Sequence, residues 1–398
     1  MTIPWDDTPD IGALRVALIG TRGIPASYGG FETAVEEVGR RLAQRGHLVT
    51  VYGRNAGDAG EEYLGMRRVT LPAVKRKSLE TLSHTALSTV HAVVRRRPDA
   101  AVVFNAANSP LLPFLRAAHI PVALHMDGLE WKRSKWGQAG RTYYRNAEQF
   151  GVRSADALIA DSTGIADYYR HQFGAQTELI TYGAPELLDA PVDGIEGLGL
   201  APGGYHLVVA RFEPENHVYE IVRGYRQSTA SKPLVVVGSA PYSEGYTASI
   251  ERLAEADSRV RLVGPVYDQP LLDALYFHAY TYIHGHSVGG TNPSLLRAIG
   301  AGTAVIGYDV SFNRDVVGDR GWFFTEPTQL AAALEEAESA ADLSQLGASL
   351  RERAAEHYTW DGVTDRYEDL LYRIASGESA RPQLRRARRN RAEWAMSS

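Results

Sequence analysis

The sequence contains no cysteine, and it has no apolar run near the 18 or so residues that a membrane-spanning helix needs. Without cysteine the chain can form no disulfide framework, no thiolate metal site and no cysteine nucleophile. The opening residues, MTIPWDDTPDIG, are acidic and lack an apolar core, so no cleaved secretory signal is predicted. We therefore expect a soluble, cytoplasmic protein, with peripheral contact to the inner face of the cell membrane as argued below.

The motifs of several enzyme classes are also missing. No G-x-S-x-G turn and no Walker A lysine motif occurs, which argues against a hydrolase triad and against P-loop chemistry. The 12 histidines form no H-E-x-x-H pattern, so no metal site is predicted. His284 and His286 alternate at the end of a predicted strand, and we expect both to be structural rather than metal ligands.

Apolar strands alternate with amphipathic helices along the 398 residues, of which 44% are hydrophobic. This alternation predicts parallel sheets covered by helices on both faces. The expected fold is α/β, with two Rossmann-like doubly wound domains that face each other across a cleft. The predicted strands are 14–20, 47–53, 99–105, 120–126, 156–161, 178–183, 205–211, 232–239, 259–264, 279–285 and 302–309.

Composition divides the chain into five segments. Residues 1–185 form the predicted acceptor-side domain, and the Pro/Gly-rich residues 186–204 form a linker without sustained periodicity. Residues 205–357 form the predicted donor-side domain. A C-terminal helix over 358–380 is expected to pack back on the first domain, and residues 381–398 form a basic tail.

The net charge of −5 is unevenly distributed. Residues 1–185 carry 22 basic and 18 acidic side chains, residues 186–380 carry 14 and 28, and residues 381–398 carry six and one. The tail predicts contact with an anionic membrane through Arg381 to Arg391, since each basic residue near such a surface contributes about 1 kcal/mol. No nucleic-acid partner is expected, because no recognised module is present; a merely solubilising tail is the alternative.

Two Gly-Gly turns, one in each predicted domain, come between a strand and a helix. The first is GTRGIPASYGGFE (20–32), and the second lies within HGHSVGGTNPSLLRAIGAG (284–302), where Thr291 or Asn292 can cap the helix. Backbone amides at a helix N-terminus bind anions, although such glycines can also be purely conformational. The predicted phosphate-binding positions in these turns are Gly29, Gly30, Gly289, Gly290, Thr291 and Asn292.

Two further loops follow predicted strands. In ARFEPENH (210–217), Arg211 can give a diphosphate a fixed positive charge, and Glu215 and Asn216 follow it. In LHMDGLEWKRSKWG (124–137), an acidic side chain, Asp127 or Glu130, could accept a proton from an attacking hydroxyl, with His125 orienting it or the substrate. An ordinary polar loop is the alternative. The candidates for acceptor contact are Tyr28, Glu32, Glu130, Trp131 and Lys132.

On these residues the chain resembles family 4 of the bacterial glycosyltransferases, which have the GT-B fold, and within it the cell-surface polysaccharide rhamnosyltransferases. The motifs that carry the resemblance are IGTRGIPASYGGFET (19–33), LHMDGLEWKRSKW (124–136), ARFEPEN (210–216) and HGHSVGGTNPSLL (284–296). The resemblance implies a nucleotide-sugar donor held mainly by the second domain and a lipid-linked saccharide acceptor held mainly by the first. It also implies retention at the anomeric carbon, with no cofactor and no metal.

Carried over by position, the resemblance assigns Gly29, Gly30 and Arg211 to the donor diphosphate. It assigns the loop from Gly289 to Asn292 to the diphosphate and sugar. Asp127 matches the acidic active-site candidate of the branch, Glu215 its partner on the donor side, and His125 a histidine beside the sugar. The implied catalytic set is therefore Asp127, His125, Arg211 and Glu215, and Glu215 and Asn216 join the donor-binding set.

Three positions depart from the wider family. Asn216 stands where a lysine is usual, and Gly289 and Arg297 stand where two glutamates are usual. The second glutamate normally holds the donor ribose, and an arginine cannot accept those hydrogen bonds. Either another residue holds the nucleoside, or the donor preference has changed, or activity is weakened. Our hypothesis is a deoxythymidine diphosphate donor such as dTDP-L-rhamnose, since its sugar lacks the 2′-hydroxyl. Two alternatives remain: a nucleotide-sugar epimerase of the same fold, and a nucleotide-sugar-binding protein without transferase activity.

Overall fold

A computed structural model describes residues 12–26, 30–54, 60–74, 79–126, 128–133, 136–239, 244–340 and 342–379. Tyr28, Gly29, Asp127 and the tail from residue 381 onward lie outside the described residues. The chain divides into two compact units. Unit 1 comprises Met1–Lys132, Trp136–Thr181 and Trp360–Ser398, and unit 2 comprises Arg133–Lys135 and Tyr182–Thr359.

The described strands are short and mostly buried, as expected for a sheet with both faces covered. They are β1 (Arg15–Ile19), β2 (Leu48–Gly53), β3 (Glu62–Tyr63), β4 (Met66–Thr70), β5 (Ala100–Phe104), β6 (Val122–His125), β7 (Ala157–Ala160), β8 (Glu178–Leu179), β9 (His206–Val209), β10 (Leu234–Val237), β11 (Val260–Gly264), β12 (Thr281–His284), β13 (Ala304–Tyr308) and β14 (Gly321–Phe324).

Helices connect most of these strands. They are α1 (Gly30–Gln44), α2 (Glu80–His91), α3 (Leu112–Ala117), α4 (Gln138–Ser154), α5 (Thr163–Phe173), α6 (Asp193–Glu196), α7 (Val218–Gln227), α8 (Glu244–Glu255), α9 (Gln269–Phe277), α10 (Pro293–Ala301), α11 (Ser311–Val317), α12 (Pro327–Ser339), α13 (Ser344–His357) and α14 (Trp360–Ala375). Among the described residues, no helix has the length and apolar character needed to cross a membrane.

Unit 1 is built on an eight-stranded sheet in the order β3-β4-β2-β1-β5-β6-β7-β8. Its neighbouring strands are parallel except β3, which runs antiparallel to β4. The central strand β1 pairs Val16 with Val49 on one side and with Ala100 on the other. Because parallel strands end at the same edge of a sheet, the loops after β1 and β6 are brought to one side of unit 1.

The last helix of the chain, α14, belongs to unit 1. Its apolar face is buried, and α1 contributes Arg41 and Arg45 to ion pairs with its acidic residues. Arg41 Nε lies 2.7 Å from Asp361 Oδ1, and Arg45 Nη1 lies 2.6 Å from Glu368 Oε2. The buried side chains of α14 are Trp360, Val363, Thr364, Tyr367, Leu370, Leu371 and Ile374.

Unit 2 is built on a six-stranded parallel sheet in the order β11-β10-β9-β12-β13-β14. The segment 186–204, predicted as a linker, is part of this unit instead. It forms α6 and buries Ile195 and Leu200, and Gly203 N donates to His278 O at 2.8 Å. The segment resembles a linker in the sequence because it is rich in proline and glycine, and its two buried apolar residues form no periodic pattern.

Candidate functional site

In unit 2, Asn216 connects the loop after β9 to the loop after β12. It ends a 3₁₀ turn, Pro214–Asn216, and its side chain is buried. Its Nδ2 donates to the carbonyl oxygen of Arg211 at 2.8 Å. Its Oδ1 accepts from Nδ1 of His286, also at 2.8 Å. The side-chain amide of Asn216 thus connects the loop that contains Arg211 to the loop that contains the second Gly-Gly turn.

A close backbone contact joins the same two loops. A Cβ atom on Gly285 would lie 2.1 Å from the carbonyl oxygen of Asn216, so only glycine fits at this position. Next to it, Ser287 N donates to Glu215 O at 2.9 Å, and Ser287 Oγ donates to the same oxygen at 3.1 Å. The backbone of Glu215, a predicted catalytic residue, is therefore fixed beside the Gly-Gly turn.

The turn itself leads into α10. Gly289 has φ +143, and a Cβ there would lie 2.9 Å from Nε2 of His286. Thr291 is buried. Asn292 is the N-cap, since its Oδ1 accepts from Ser294 N at 2.9 Å, and Pro293 is the first helical residue. The positive end of the α10 dipole therefore adjoins a turn whose backbone can approach a ligand closely, as a phosphate site requires.

The two histidines near this turn, His284 and His286, are both buried. Burial lowers the pKa of His284 to about 3, and burial lowers the pKa of His286 well below its usual range. Both rings are neutral at pH 7. Because His286 donates from Nδ1 to Asn216, its Nε2 carries the lone pair. Arg211 adds a positive charge at these loops; its side chain is 39% exposed and lies 3.6 Å from Glu213.

Arg297 lies on α10 and forms an ion pair with Asp273 on α9. About a fifth of each side chain is exposed. Oδ1 of Asp273 also accepts from Gln269 Nε2 at 2.9 Å. Arg297 therefore directs its guanidinium to a carboxylate on the neighbouring helix.

In unit 1, two glutamates of α1 hold the turn after β1. Glu32 Oε1 accepts from Arg22 N at 3.0 Å, and Glu36 Oε2 accepts from Ala26 N at 2.6 Å. Burial raises the pKa of Glu36, while the hydrogen bond from Ala26 opposes that rise. Gly30 is the first residue of α1. Glu32, a predicted acceptor contact, therefore has a structural partner in the backbone of its own turn.

His125 ends β6 inside a group of aromatic rings. Its ring centroid lies 5.1 Å from that of Phe31, 5.4 Å from that of Phe104 and 6.5 Å from that of Tyr367. Nδ1 donates to the carbonyl oxygen of Met126 at 3.2 Å, so Nε2 is the acceptor nitrogen of the neutral ring. Burial lowers the pKa of His125 to about 4. It is therefore an uncharged residue that can accept a hydrogen bond at Nε2.

The other candidates for acceptor contact lie in the loop after β6. Glu130 is buried, and its Oε1 accepts from Trp136 Nε1 at 3.2 Å. Trp131 carries the guanidinium of Arg145 over its ring, 4.1 Å from the centroid. Lys132 is exposed, with Nζ 5.6 Å from the same ring. Lys132 is therefore the member of this group with an exposed side chain.

The structure brings together the unit 2 candidates: Asn216 bonds to Arg211 and to His286, and Glu215 bonds to Ser287, in the loop that leads to Gly289. Sequence reasoning did not identify Asn313, whose Nδ2 donates to the carbonyl oxygens of His286 and Tyr308, both at 2.9 Å. It lies on α11, and no local pattern signals this contact. Within the described ranges, no three His, Asp or Glu side chains form a group that could hold a metal ion.

Comparisons with known proteins agree with this division of the chain. Residues 29–183 match the family described as Glycosyl transferase 4-like domain, and residues 205–339 match the family described as Glycosyl transferases group 1. No curated protein matches the sequence.

Solved structures show the same fold. Sucrose-phosphate synthase from Thermosynechococcus elongatus superposes with a TM-score of 0.78 at 21% identity, covering 91% of this chain and 99% of that one. HepE of Anabaena, in complex with UDP-glucose, gives 0.75 at 16% identity, covering 90% and 99%. The UDP-forming trehalose-phosphate synthase of Burkholderia xenovorans, in complex with glucose-6-phosphate, gives 0.70 at 14%, covering 90% and 100%. At these identities the likeness shows the fold alone.

Proposed function

We propose that this chain, a glycosyltransferase by its two domains and its GT-B fold, moves L-rhamnose from dTDP-L-rhamnose to a lipid-linked saccharide in cell-surface polysaccharide synthesis. The reaction retains the configuration of the anomeric carbon. The observation that carries the proposal is the joined pair of loops in unit 2, where Arg211 and the capped N-terminus of α10 are held by Asn216 and His286.

The leaving group of such a transfer is a nucleoside diphosphate, which gains negative charge as the glycosidic bond breaks. Arg211 offers an exposed guanidinium, and the turn from Gly289 to Asn292 offers backbone amides at a helix N-terminus. Groups fixed in advance of the reaction stabilise that charge without reorganising. That HepE of Anabaena is solved with UDP-glucose supports a nucleotide-sugar donor for this fold.

We assign the preference for dTDP to Arg297. A ribose presents two hydroxyls to the donor site, whereas deoxyribose presents one. In this chain Arg297 cannot accept a hydrogen bond, and the carboxylate of Asp273 is already shared by Arg297 and Gln269. Fewer acceptors for sugar hydroxyls favour the nucleoside with fewer hydroxyls.

The acceptor side of the proposal belongs to unit 1. Asp127 serves as the proton acceptor, with Glu215 as its partner on the donor side, and His125 accepts a hydrogen bond at Nε2. Gly29 and Gly30 contact the diphosphate, and the reaction uses no cofactor and no metal. The acceptor is a lipid-linked saccharide at the cytoplasmic face of the membrane, and the tail from Arg381 to Arg391 binds anionic lipid.

A transfer assay tests this proposal. The full chain is incubated with dTDP-L-rhamnose, UDP-glucose or GDP-mannose and a bacterial membrane extract, and the products are identified by mass spectrometry. We expect dTDP release that depends on the extract, and a rhamnosylated lipid with retained configuration. Strong preference for UDP-glucose would reject the dTDP assignment, and an inverted product would reject retention.

Two variants give this assay a matched comparison. Arg211→Gln removes the proposed diphosphate charge, whereas Arg223→Gln removes an exposed arginine from α7 of the same unit. We expect Arg211→Gln to lower turnover about 100-fold, because it removes one preorganised group that stabilises the negative charge of the leaving group. Arg223→Gln should leave turnover unchanged. Asp127→Asn should lower turnover more than donor binding. Unchanged turnover in that variant would remove Asp127 from the catalytic set.

The Arg297–Asp273 ion pair favours a second candidate function. A chain that lacks the ribose-binding glutamate could hold a nucleotide sugar without transferring it, and so act as a regulator or a subunit. Calorimetric titration with dTDP-L-rhamnose separates the two. Donor binding without transfer to any lipid in the extract would favour this second function over the first.

A further inference from the structure

Helix α2 of unit 1 has its polar and apolar faces reversed. Its buried side chains are His84, Thr85, Ser88 and Thr89. Its large apolar side chains point the other way: Leu87 is 43% exposed, and Val90 is 60% exposed. Ordinary surface helices of globular proteins bury the apolar stripe and expose the polar one. In the same unit α1 follows that rule, with Val35, Val38 and Leu42 buried.

The exposed apolar side chains share one face and continue past the end of α2. Leu87, Val90 and Val94 are spaced i, i+3 and i+7, and Val94, in the π-helical turn Ala92–Arg96, is 63% exposed. Residues three and four apart on a helix are neighbours on its surface. A single exposed leucine or valine needs no explanation, but three in a row on one face form a ridge that a partner surface could cover.

Positive charge adjoins this ridge. Arg95, Arg96 and Arg97 follow Val94 directly, and no acidic residue occurs from 81 to 98. A cavity of about 170 Å³ at the start of β1 is lined by four arginines, Arg15, Arg67, Arg95 and Arg96. Asp99 forms an ion pair with Arg15. Burial lowers the pKa of His91, and the charges of Arg96 and Arg95 lower it further. The positive charge of these two arginines therefore acts on the last residue of α2.

We propose that the face formed by Leu87, Val90, Val94, Arg95 and Arg96 is a membrane-docking surface of unit 1, which inserts its apolar ridge into the interface of a bilayer containing anionic phospholipid. An apolar ridge beside clustered arginines is the composition that binds such an interface, because lipid phosphates attract the cations while the acyl chains cover the apolar side chains. The arginine-lined cavity offers a place for a lipid phosphate group. This surface is separate from the basic tail, and it requires no transferase activity.

Vesicle co-sedimentation of the full chain tests the surface. The vesicles contain phosphatidylcholine with about 30% phosphatidylglycerol, or phosphatidylcholine alone, a contrast that isolates the electrostatic contribution. We expect binding to the anionic vesicles, about a tenfold loss for the double variant Val90→Ser/Val94→Ser, and about a fivefold loss for Arg95→Gln. Vesicles without phosphatidylglycerol should bind the parent chain only weakly.

Matched variants keep the result specific. Phe114 on α3 is as exposed as Val94, at 63%, and Arg153 on α4 is exposed like Arg95. Phe114→Ser and Arg153→Gln should bind vesicles as the parent chain does. All five substituted side chains are exposed, so thermal unfolding should match the parent and exclude misfolding as the cause of lost binding.

Three results would overturn the proposal. The first is that Val90→Ser/Val94→Ser binds vesicles as the parent does, or that Phe114→Ser loses as much. The second is that a chain ending at Ser379 loses all binding, which would assign it to the tail. The third is that Val90→Ser/Val94→Ser converts a dimer to a monomer without lipid, which would make the face an interface between copies. None of these measurements includes a sugar donor, so they are independent of the transfer assay.

Discussion

Asn216 holds its loop with two neutral hydrogen bonds rather than with a charge. Its amide donates to Arg211 O and accepts from His286 Nδ1 at the same time. A lysine at this position could donate but could not accept. With asparagine the loop is held by neutral hydrogen bonds, and Arg211 remains as its positive charge. The residue was predictable as a departure from the family, but its partner His286, 70 positions away, was not.

Replacing Asn216 should loosen this loop. Asn216→Ala removes both hydrogen bonds and leaves the buried His286 N–H without this partner, while the Arg211 carbonyl keeps its bond from Glu213 N. We therefore expect unit 2 to lose about 2–3 kcal/mol of unfolding free energy. Urea unfolding measures the loss. The control is Asn146→Ala, at an exposed position on α4, which should change stability by less than about 0.5 kcal/mol. Equal effects of the two substitutions would contradict the role given to Asn216.

His125 predicts a dependence of stability on pH. Burial lowers its pKa from an unfolded value near 6.5 to about 4. Between those values the unfolded chain binds a proton that the folded chain does not, so acidification destabilises the fold throughout this range. The contribution of His125 is present above pH 6.5, is lost progressively as the pH falls toward 4, and changes no further below 4.

The variant His125→Phe keeps an aromatic ring among Phe31, Phe104 and Tyr367 but cannot take up a proton. We expect the parent chain to lose about 3 kcal/mol more than the variant between pH 7 and pH 4. Urea unfolding at several pH values measures the difference in slope, which is independent of any uniform change in stability. Parallel slopes for the two chains would show that His125 is protonated in the folded state.

At the scale of elements, the sequence predicts the central strands well. The 11 predicted strands each contain a described strand, because parallel strands buried on both faces are continuous apolar runs. The strands that were not predicted are β3, β4 and β14. β3 and β14 lie at sheet edges, β4 lies next to β3, and β3 and β4 carry charges such as Glu62, Arg67 and Arg68. Helix α2 gives no ordinary amphipathic signal in the sequence, since its polar and apolar faces are reversed.

The contact between the β9 and β12 loops depends on Gly285. Its absent Cβ admits the carbonyl of Asn216, and an added methyl would also lie 2.9 Å from Cδ1 of Ile221. Since the nearer obstacle is backbone, Gly285→Ala cannot be relieved by a side-chain rotation and should cost about 1–3 kcal/mol or more.

Gly245 at the start of α8 is the matched control for this substitution. A Cβ there meets nothing within 4 Å among the described residues, so Gly245→Ala should be neutral or stabilise by up to about 1 kcal/mol. Thermal unfolding compares the two variants, and donor titration should show weaker binding for Gly285→Ala alone. A neutral Gly285→Ala would contradict the close approach of these loops.

At the scale of the whole chain, composition alone gives two α/β units but not their full membership. The boundary at 185 is close to Thr181, where unit 1 is interrupted, because the strand pattern stops there. Composition cannot show that residues 186–204 bury Ile195 and Leu200, since these two apolar residues are isolated and form no periodic pattern. The return of the last helix to unit 1 depends on contacts between residues more than 300 positions apart.

Helix α14 is attached to unit 1 mainly by apolar contacts. Trp360, Val363, Tyr367, Leu370, Leu371 and Ile374 are buried in unit 1. At roughly 1.5–3 kcal/mol each they contribute about 9–18 kcal/mol, which is as large as the whole stability of a typical domain. The ion pairs of Arg41 and Arg45 with α14 include exposed partners, and each contributes about 0–1 kcal/mol.

We therefore expect a chain that ends at Thr359 to lose unit 1 but keep unit 2. Hydrogen exchange should show unprotected amides in β1, β2, β5, β6 and β7, with protection retained from β9 to β13. Within the full chain, Leu370→Ala should cost about 2–5 kcal/mol, whereas Glu368→Gln, which weakens the pairs with Arg45 and His47, should cost about 1 kcal/mol or less. Two results would contradict an apolar attachment of α14. One is full protection of unit 1 without α14, and the other is a larger effect of Glu368→Gln than of Leu370→Ala. In either case the buried face of α14 would contribute less to stability than the charged face.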